Sequence, residues 1–336
     1  MFLVSIIPGP REPSLEQINH ILAPLVYDLL CFWEPGVFIR QTAHHFDGHL
    51  CQCGPNTCGF ASHAFLHFCS FCKLPLHEID NLDANSWPIR TWAEHRQSAC
   101  AWKDATSHAA RLRLYCQNGI RWSKLLRLPY WDPTTFVVLD CMHSLLLGNL
   151  QRHCREVWGM NFQLEDNDFH LKPDKKGAVT KAEILHGYGT LEHGTDQEVA
   201  SLSIHKSGFN MPKTTLPSWI GRAPPKLGDG RHGKLSVDQW RTACTINLVV
   251  TLGRLWGSKP PNDCHYQMLV NFTDLTTPDR IVLFQQHMHR YLQTMKELYV
   301  YSNLTPNHHL ALHLPKLLEN FGPPHAWVCF VFECCL

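Results

Sequence analysis

Three stretches of this chain repeat apolar residues every three or four positions behind a helix-capping signal, and this pattern constrains the fold more than any other feature. Ser14 and Gln17 have the spacing of a capping box, followed by Leu15, Ile18, Leu22, Val26 and Leu29 on one helical face, with Pro24 placed to kink it. Ser236 and Gln239 repeat the box ahead of Trp240, Cys244, Leu248 and Leu255, with Gly257 placed to close the helix. Residues 144–158 carry Leu146, Leu150, Cys154 and Val157 in the same register, with Gly159 as a stop. Thr277-Pro278 and Thr305-Pro306 each put a cap residue before a proline suited to a first helical position, and a long helix is expected after both. Strand signals are fewer: Phe2–Ile7, Phe136–Leu139 and Ala326–Phe332 are short apolar or β-branched runs. The expectation is an α/β fold, mainly helical.

Residues 163–215 are rich in Lys, Asp, His and Gly, and 221–234 are rich in Pro and Gly. Together they read as a loosely ordered linker over 161–235, between a segment spanning 1–160 and a helical segment spanning 236–336. The 30 basic and 29 acidic residues nearly cancel, so binding to nucleic acid by overall charge is excluded, and any DNA contact must come from a local patch, from a missing segment, or not at all. No apolar run reaches the roughly 20 residues of a membrane span, and MFLVSIIPGP lacks the flanks of an export signal. A nuclear or cytoplasmic protein is therefore expected, neither membrane-bound nor secreted. The 15 cysteines then point to thiols or metal ligands in preference to disulfides.

Cys69-Ser-Phe-Cys72 presents two thiols at the spacing that lets one turn grip a zinc ion. A tetrahedral site needs two more ligands, and His63, His67, His77, His95, Cys51, Cys53 and Cys58 are the near candidates. The other reading is that Cys69 and Cys72 are small buried hydrophobes beside Phe68 and Phe71. Asp140-Cys-Met-His143 places a carboxylate at the end of an apolar run and an imidazole in the first turn of the next helix. Metal-dependent nucleases place acids this way, although an Asp there can equally be a helix N-cap. Glu333 is one acid within an apolar run, and is expected to be exposed, paired or functional. His309 and His313, four residues apart, share a helical face, but no Glu follows His309 as the metalloprotease pattern requires.

In order along the chain, GFASHAFLHFCSFC, RWSKLLRLPYWDPTTFVVLDCMH, LPSWIGRAPPKLG, HGKLSVDQWRTACTINLVVTLGRLWGSKPP and HLALHLPKLLENFGPPHAWVCFVFE resemble the transposases of CACTA (En/Spm-like) elements of the fungal type. The resemblance implies a partial RNase H-like catalytic core with a large helical insertion. In such a core, acids hold two Mg²⁺ or Mn²⁺ ions for phosphodiester cleavage and strand transfer on DNA. It assigns Asp140 and His143 to the DxxH unit, Glu333 to the last acid, and Cys69 and Cys72 with His95 to a structural zinc site within about residues 51–95, for which the nearby His63 is taken as the fourth ligand. It further implies DNA as partner, a homo-oligomer, and impaired cleavage. The stretch carrying the first acid has no counterpart here, HLCQCGPNTCG stands where a second acid belongs, and Asp47 is a weak substitute. The alternative is a zinc-stabilised binding module for protein or DNA.

Overall fold

The computed structural model describes residues 14–34, 57–158, 235–276, 281–300 and 302–322. It divides into two compact units, one comprising Met1–Asp140 with Asn320–Leu336, the other Cys141–Glu319. Among the described residues the fold is mainly helical; none forms a strand, and two isolated antiparallel bridges, Phe60 with Ile120 and Cys72 with Ile89, are the extended pairings. No helix among them is long and apolar enough to cross a membrane. The strand candidates Phe2–Ile7 and Ala326–Phe332 lie outside the described residues, as do Asp47, Cys51, Cys53 and Glu333.

In the first unit, α1 (Leu15–Trp33) starts as its sequence requires. Ser14 Oγ accepts from Gln17 N–H, Gln17 Oε1 accepts from Ser14 N–H, and the helix continues through Pro24. Ile18, Leu22 and Val26, spaced four apart, are the buried stripe. They pack with the 3₁₀ turn Lys124–Arg127, whose Leu125 and Leu126 are buried. Asn19 fixes the register: its amide donates to Trp122 O at 3.2 Å, and its Oδ1 accepts from Lys124 N–H at 2.6 Å. The same core takes Phe60, Ile120, Leu128, Trp131 and Val137.

Two further helices follow a short 3₁₀ turn at Ala84–Ser86. Thr91 caps α2 (Trp92–Asp104) and Ser107 caps α3 (His108–Asn118) through their hydroxyls. Gly119 ends α3 in the left-handed conformation, φ 67°, donating its N–H to Tyr115 O. Gly59 is more demanding. Its φ is 91°, and a Cβ there would lie 2.2 Å from Arg121 O, the backbone beside the Phe60–Ile120 bridge. Gly59→Ala combines strain with a backbone clash, so it is expected to destabilise the first unit by about 2–3 kcal/mol, read as a lower urea midpoint for Trp131 fluorescence.

The expected strand at Phe136–Leu139 is corrected. Asp132 Oδ1 accepts from Thr134 N–H at 2.8 Å and from Thr134 Oγ1 at 2.6 Å, and Pro133 holds the first helical position. These local bonds wind Pro133–Phe136 into a helical turn (α4) in place of extended backbone. Val137 then enters the core as an isolated anchor, 2% exposed.

The second unit begins with α5, two wide π-helical runs over Met142–Leu150 and His153–Val157. Wide turns advance fewer degrees per residue, so the buried face drifts from the four-residue stripe. Leu150 and Cys154 are buried as the spacing requires, but Ser144, Asn149 and His153 turn inward as well. The last two find partners: Asn149 donates to Asn307 O at 3.4 Å, and His153 Nδ1 meets the Tyr291 hydroxyl at 3.1 Å. α6 is a continuous run of Val237–Thr242, Ala243–Leu248 and Val249–Trp256, opened by the Ser236–Gln239 capping box and ended at Gly257. Its Trp240, Cys244, Leu248, Leu252 and Trp256 are each at most 1% exposed, making it the spine of this unit.

Beyond α6, α7 (Cys264–Thr276) packs against α8 (Ile281–Leu298); Phe272 of the first and Met288, Tyr291 and Leu292 of the second are all buried. Asn271 donates to Tyr291 O at 2.9 Å and to Thr294 Oγ1 at 2.6 Å. The buried Asp274 takes Arg290 through two nitrogens and His287 through one. The Thr305-Pro306 signal opens α9, which runs for six residues, Pro306–Ala311, before a turn leads into α10 (Leu314–Phe321). The Thr277-Pro278 signal lies outside the described residues.

Candidate metal centre

Cys69 and Cys72 sit at the tip of a turn closed by backbone pairing with residues 88–90. Lys73 N–H donates to Pro88 O at 2.8 Å and Arg90 N–H to Phe71 O at 3.2 Å, flanking the Cys72–Ile89 bridge. Within the turn, the N–H groups of Phe71 and Cys72 point at Cys69 Sγ from 3.3 and 3.4 Å. Two main-chain donors aimed at one sulfur are the arrangement that supports a thiolate. Both cysteines are at most 1% exposed. Burial, then the neighbouring Cys72, pushes the Cys69 thiol well above its ordinary range, so the anionic form needs a cation to hold it.

Arg90 locks this turn. Its Nε donates to Cys69 O at 2.8 Å and Cys72 O at 3.1 Å, and its Nη2 to His67 O at 3.4 Å. A buried guanidinium satisfied by main-chain carbonyls fixes the spacing of the two sulfurs without competing for them. Nothing in the local sequence marks Arg90 for this task.

His309 lies in the last turn of α9 and His313 in the turn that follows, with their Nε2 atoms 3.2 Å apart. His309 and His313 thus present two imidazole nitrogens within the second unit, as Cys69 and Cys72 present two sulfurs within the first, and each pair can supply ligands to a metal ion such as zinc. No family model and no curated protein matches the chain.

Of the four expected ligands, Cys69 and Cys72 meet in one turn, while among the described residues His63 and His95 join no ligand group with them. His63 is exposed in a turn. His95 is buried in α2 with its ring 4.8 Å from Phe60 and stacked 6.4 Å from Trp92. Burial, then the charge of Arg90, lowers its pKa to about 4 against an opposing pull from Asp132, so it is neutral near pH 7. The shared helical face of His309 and His313 was visible in the sequence, and their ring nitrogens meet.

Asp140 is half-buried at the end of the segment following Val137, and His143 is exposed near the start of α5. Asp140 directly precedes Cys141, the first helical residue of this run.

Proposed function

We propose that this chain is a transposase-derived protein whose structure is fastened by one zinc ion and whose role is binding, not phosphodiester cleavage. The observation that carries this reading is the cysteine turn: the buried Cys69 and Cys72 stand in one turn that Arg90 locks, with two main-chain N–H groups aimed at Cys69 Sγ. An ion held by these two sulfurs is shut away from substrate, as structural zinc ions are. The CACTA resemblance supports the ancestry, an RNase H-like core, nuclear residence and DNA as the partner. Cleavage would need several carboxylates to cage two Mg²⁺ or Mn²⁺ ions.

Metal analysis of the purified full chain tests the reading. One zinc per chain is expected, lost in Cys69→Ser and in Cys72→Ser and retained in His63→Ala and His95→Ala. Zinc that persists in both cysteine variants defeats the assignment. In a parallel assay on duplex DNA with Mg²⁺ or Mn²⁺, no cutting is expected. Cutting abolished by Asp140→Ala would replace the binding role with an enzymatic one.

A further inference from the structure

A cavity of about 220 Å³ opens beside the cysteine turn, within the first unit, and its chemistry differs from that of the metal group. It is lined by Lys73, Arg90 and His67 on the side of the turn, by Glu94, His95 and Ser98 of α2, and by the α3 end. The space is many times the 10–15 Å³ that one water needs.

The side chain that demands explanation is His95. It is 1% exposed, and among the described residues neither its Nδ1 nor its Nε2 has a hydrogen-bond partner, yet its ring lines the cavity. A buried imidazole with both nitrogens unmet is a costly arrangement unless something enters the cavity to meet them.

The charges around it select the kind of ligand. Lys73 and Glu94 pair at 2.9 Å across the rim and cancel. Arg90 spends its charge on main-chain carbonyls, which are neutral, so the cavity retains one positive charge. Thr91 sets the first turn of α2 at the same wall, and the amide dipoles of that helix add positive potential. A divalent cation would face Arg90 and Lys73 directly and is disfavoured. An apolar ligand would leave His95, Ser98 and Gln117 unmet. An oxyanion accepts from all of them and neutralises the guanidinium.

We propose that this cavity is a binding site for a phosphate oxyanion, seated against His95 and Arg90. The group can arrive as free phosphate or as one phosphate of a nucleic-acid backbone. The site stands on the first unit alone and does not depend on the zinc assignment.

The test uses the full chain, with calorimetry and ³¹P line broadening on inorganic phosphate and fluorescence anisotropy on a short single-stranded DNA. Wild type is expected to bind phosphate at millimolar concentration. His95→Leu, which keeps the volume and removes both nitrogens, and Lys73→Met, at the rim, are each expected to weaken it by about tenfold. Arg113→Gln, an exposed cation elsewhere on α3, is expected to leave it unchanged. Ser98→Ala serves if His95→Leu fails to fold, and zinc content is recorded on every variant so that loss of the metal group is told apart. If DNA binding weakens in the same variants and phosphate competes with it, the backbone is the source; if DNA binding is unaffected, free phosphate is. No phosphate binding by the wild type, or equal binding by wild type, His95→Leu and Lys73→Met, overturns the proposal.

Discussion

Stripping metal from the full chain with a strong chelator is expected to lower its thermal midpoint by about 8–16 °C, with recovery on adding zinc and not magnesium. A ligand present at about a thousand times its dissociation constant stabilises the native state by about 4 kcal/mol. In a domain of this size each kcal/mol moves the midpoint by about 2–4 °C. Structural zinc binds more tightly than that in small fingers, so the figure is a lower bound. Cys72→Ser should reproduce the chelated state without chelator, because a hydroxyl does not replace the thiolate of a soft donor set. Cys154→Ser and Cys244→Ser set the comparison: these cysteines are equally buried, with sulfurs 3.6 Å apart, and lie outside the metal group. They should cost stability that chelation does not change. A chelated protein that melts with the untreated one would remove the structural role of the ion.

Acid is expected to destabilise the protein well before its carboxylates titrate. Burial, then the charge of His308, lowers the pKa of His153 to about 3; burial, then Arg152, does the same to His308; and burial, then Arg90, takes His95 to about 4. Each is depressed below the ordinary 6.5, so the unfolded chain takes up these protons first as pH falls. Their contribution is complete above about pH 6.5 and is lost as pH falls from 6.5 towards 4 for His95 and towards 3 for the other two. The slope is about 1.4 kcal/mol per pH unit for each, or about 2 kcal/mol apiece by pH 5. His153→Phe isolates one share. The ring sits among Trp158, Phe272, Tyr291 and Tyr299, so an apolar ring suits the site at the cost of the bond to the Tyr291 hydroxyl. The variant should start less stable at pH 8 and lose about one proton's worth of slope between pH 6.5 and 5. Metal-ligand protonation acts in both proteins and cancels in the difference. Parallel pH profiles for variant and wild type would refute the assignment.

What the sequence made legible was local. Both capping boxes form as spaced, because Ser14–Gln17 and Ser236–Gln239 close through bonds only three residues long. The stripes Ile18–Leu22–Val26 and Trp240–Cys244–Leu248 are buried for the same reason: the helical period alone sets them. The cysteine turn was legible as a ligand pair, since two residues of spacing determine what one turn can present.

The rest depended on contacts between distant residues or on departures from ideal geometry. The lock on the cysteine turn is Arg90, 18 residues beyond Cys72, and spacing along the chain carries no trace of that. Proximity in sequence favoured His63 and His95, but His95 is buried between Phe60 and Trp92. The wide turns of α5 shifted its inward face onto Asn149 and His153, which a four-residue period cannot foresee. Apolar composition at Phe136–Leu139 suggested a strand, and the Asp132 side chain two bonds away wound its start into a helical turn.

The account turns on one ion held by the two sulfurs of the cysteine turn, and X-ray absorption at the zinc edge reads those donors directly. The predicted result is two sulfurs at about 2.3 Å within a shell of four ligands. Cys72→Ser should remove sulfur scattering. A shell with no sulfur, one with three or more sulfurs, or one unchanged by Cys72→Ser would contradict it.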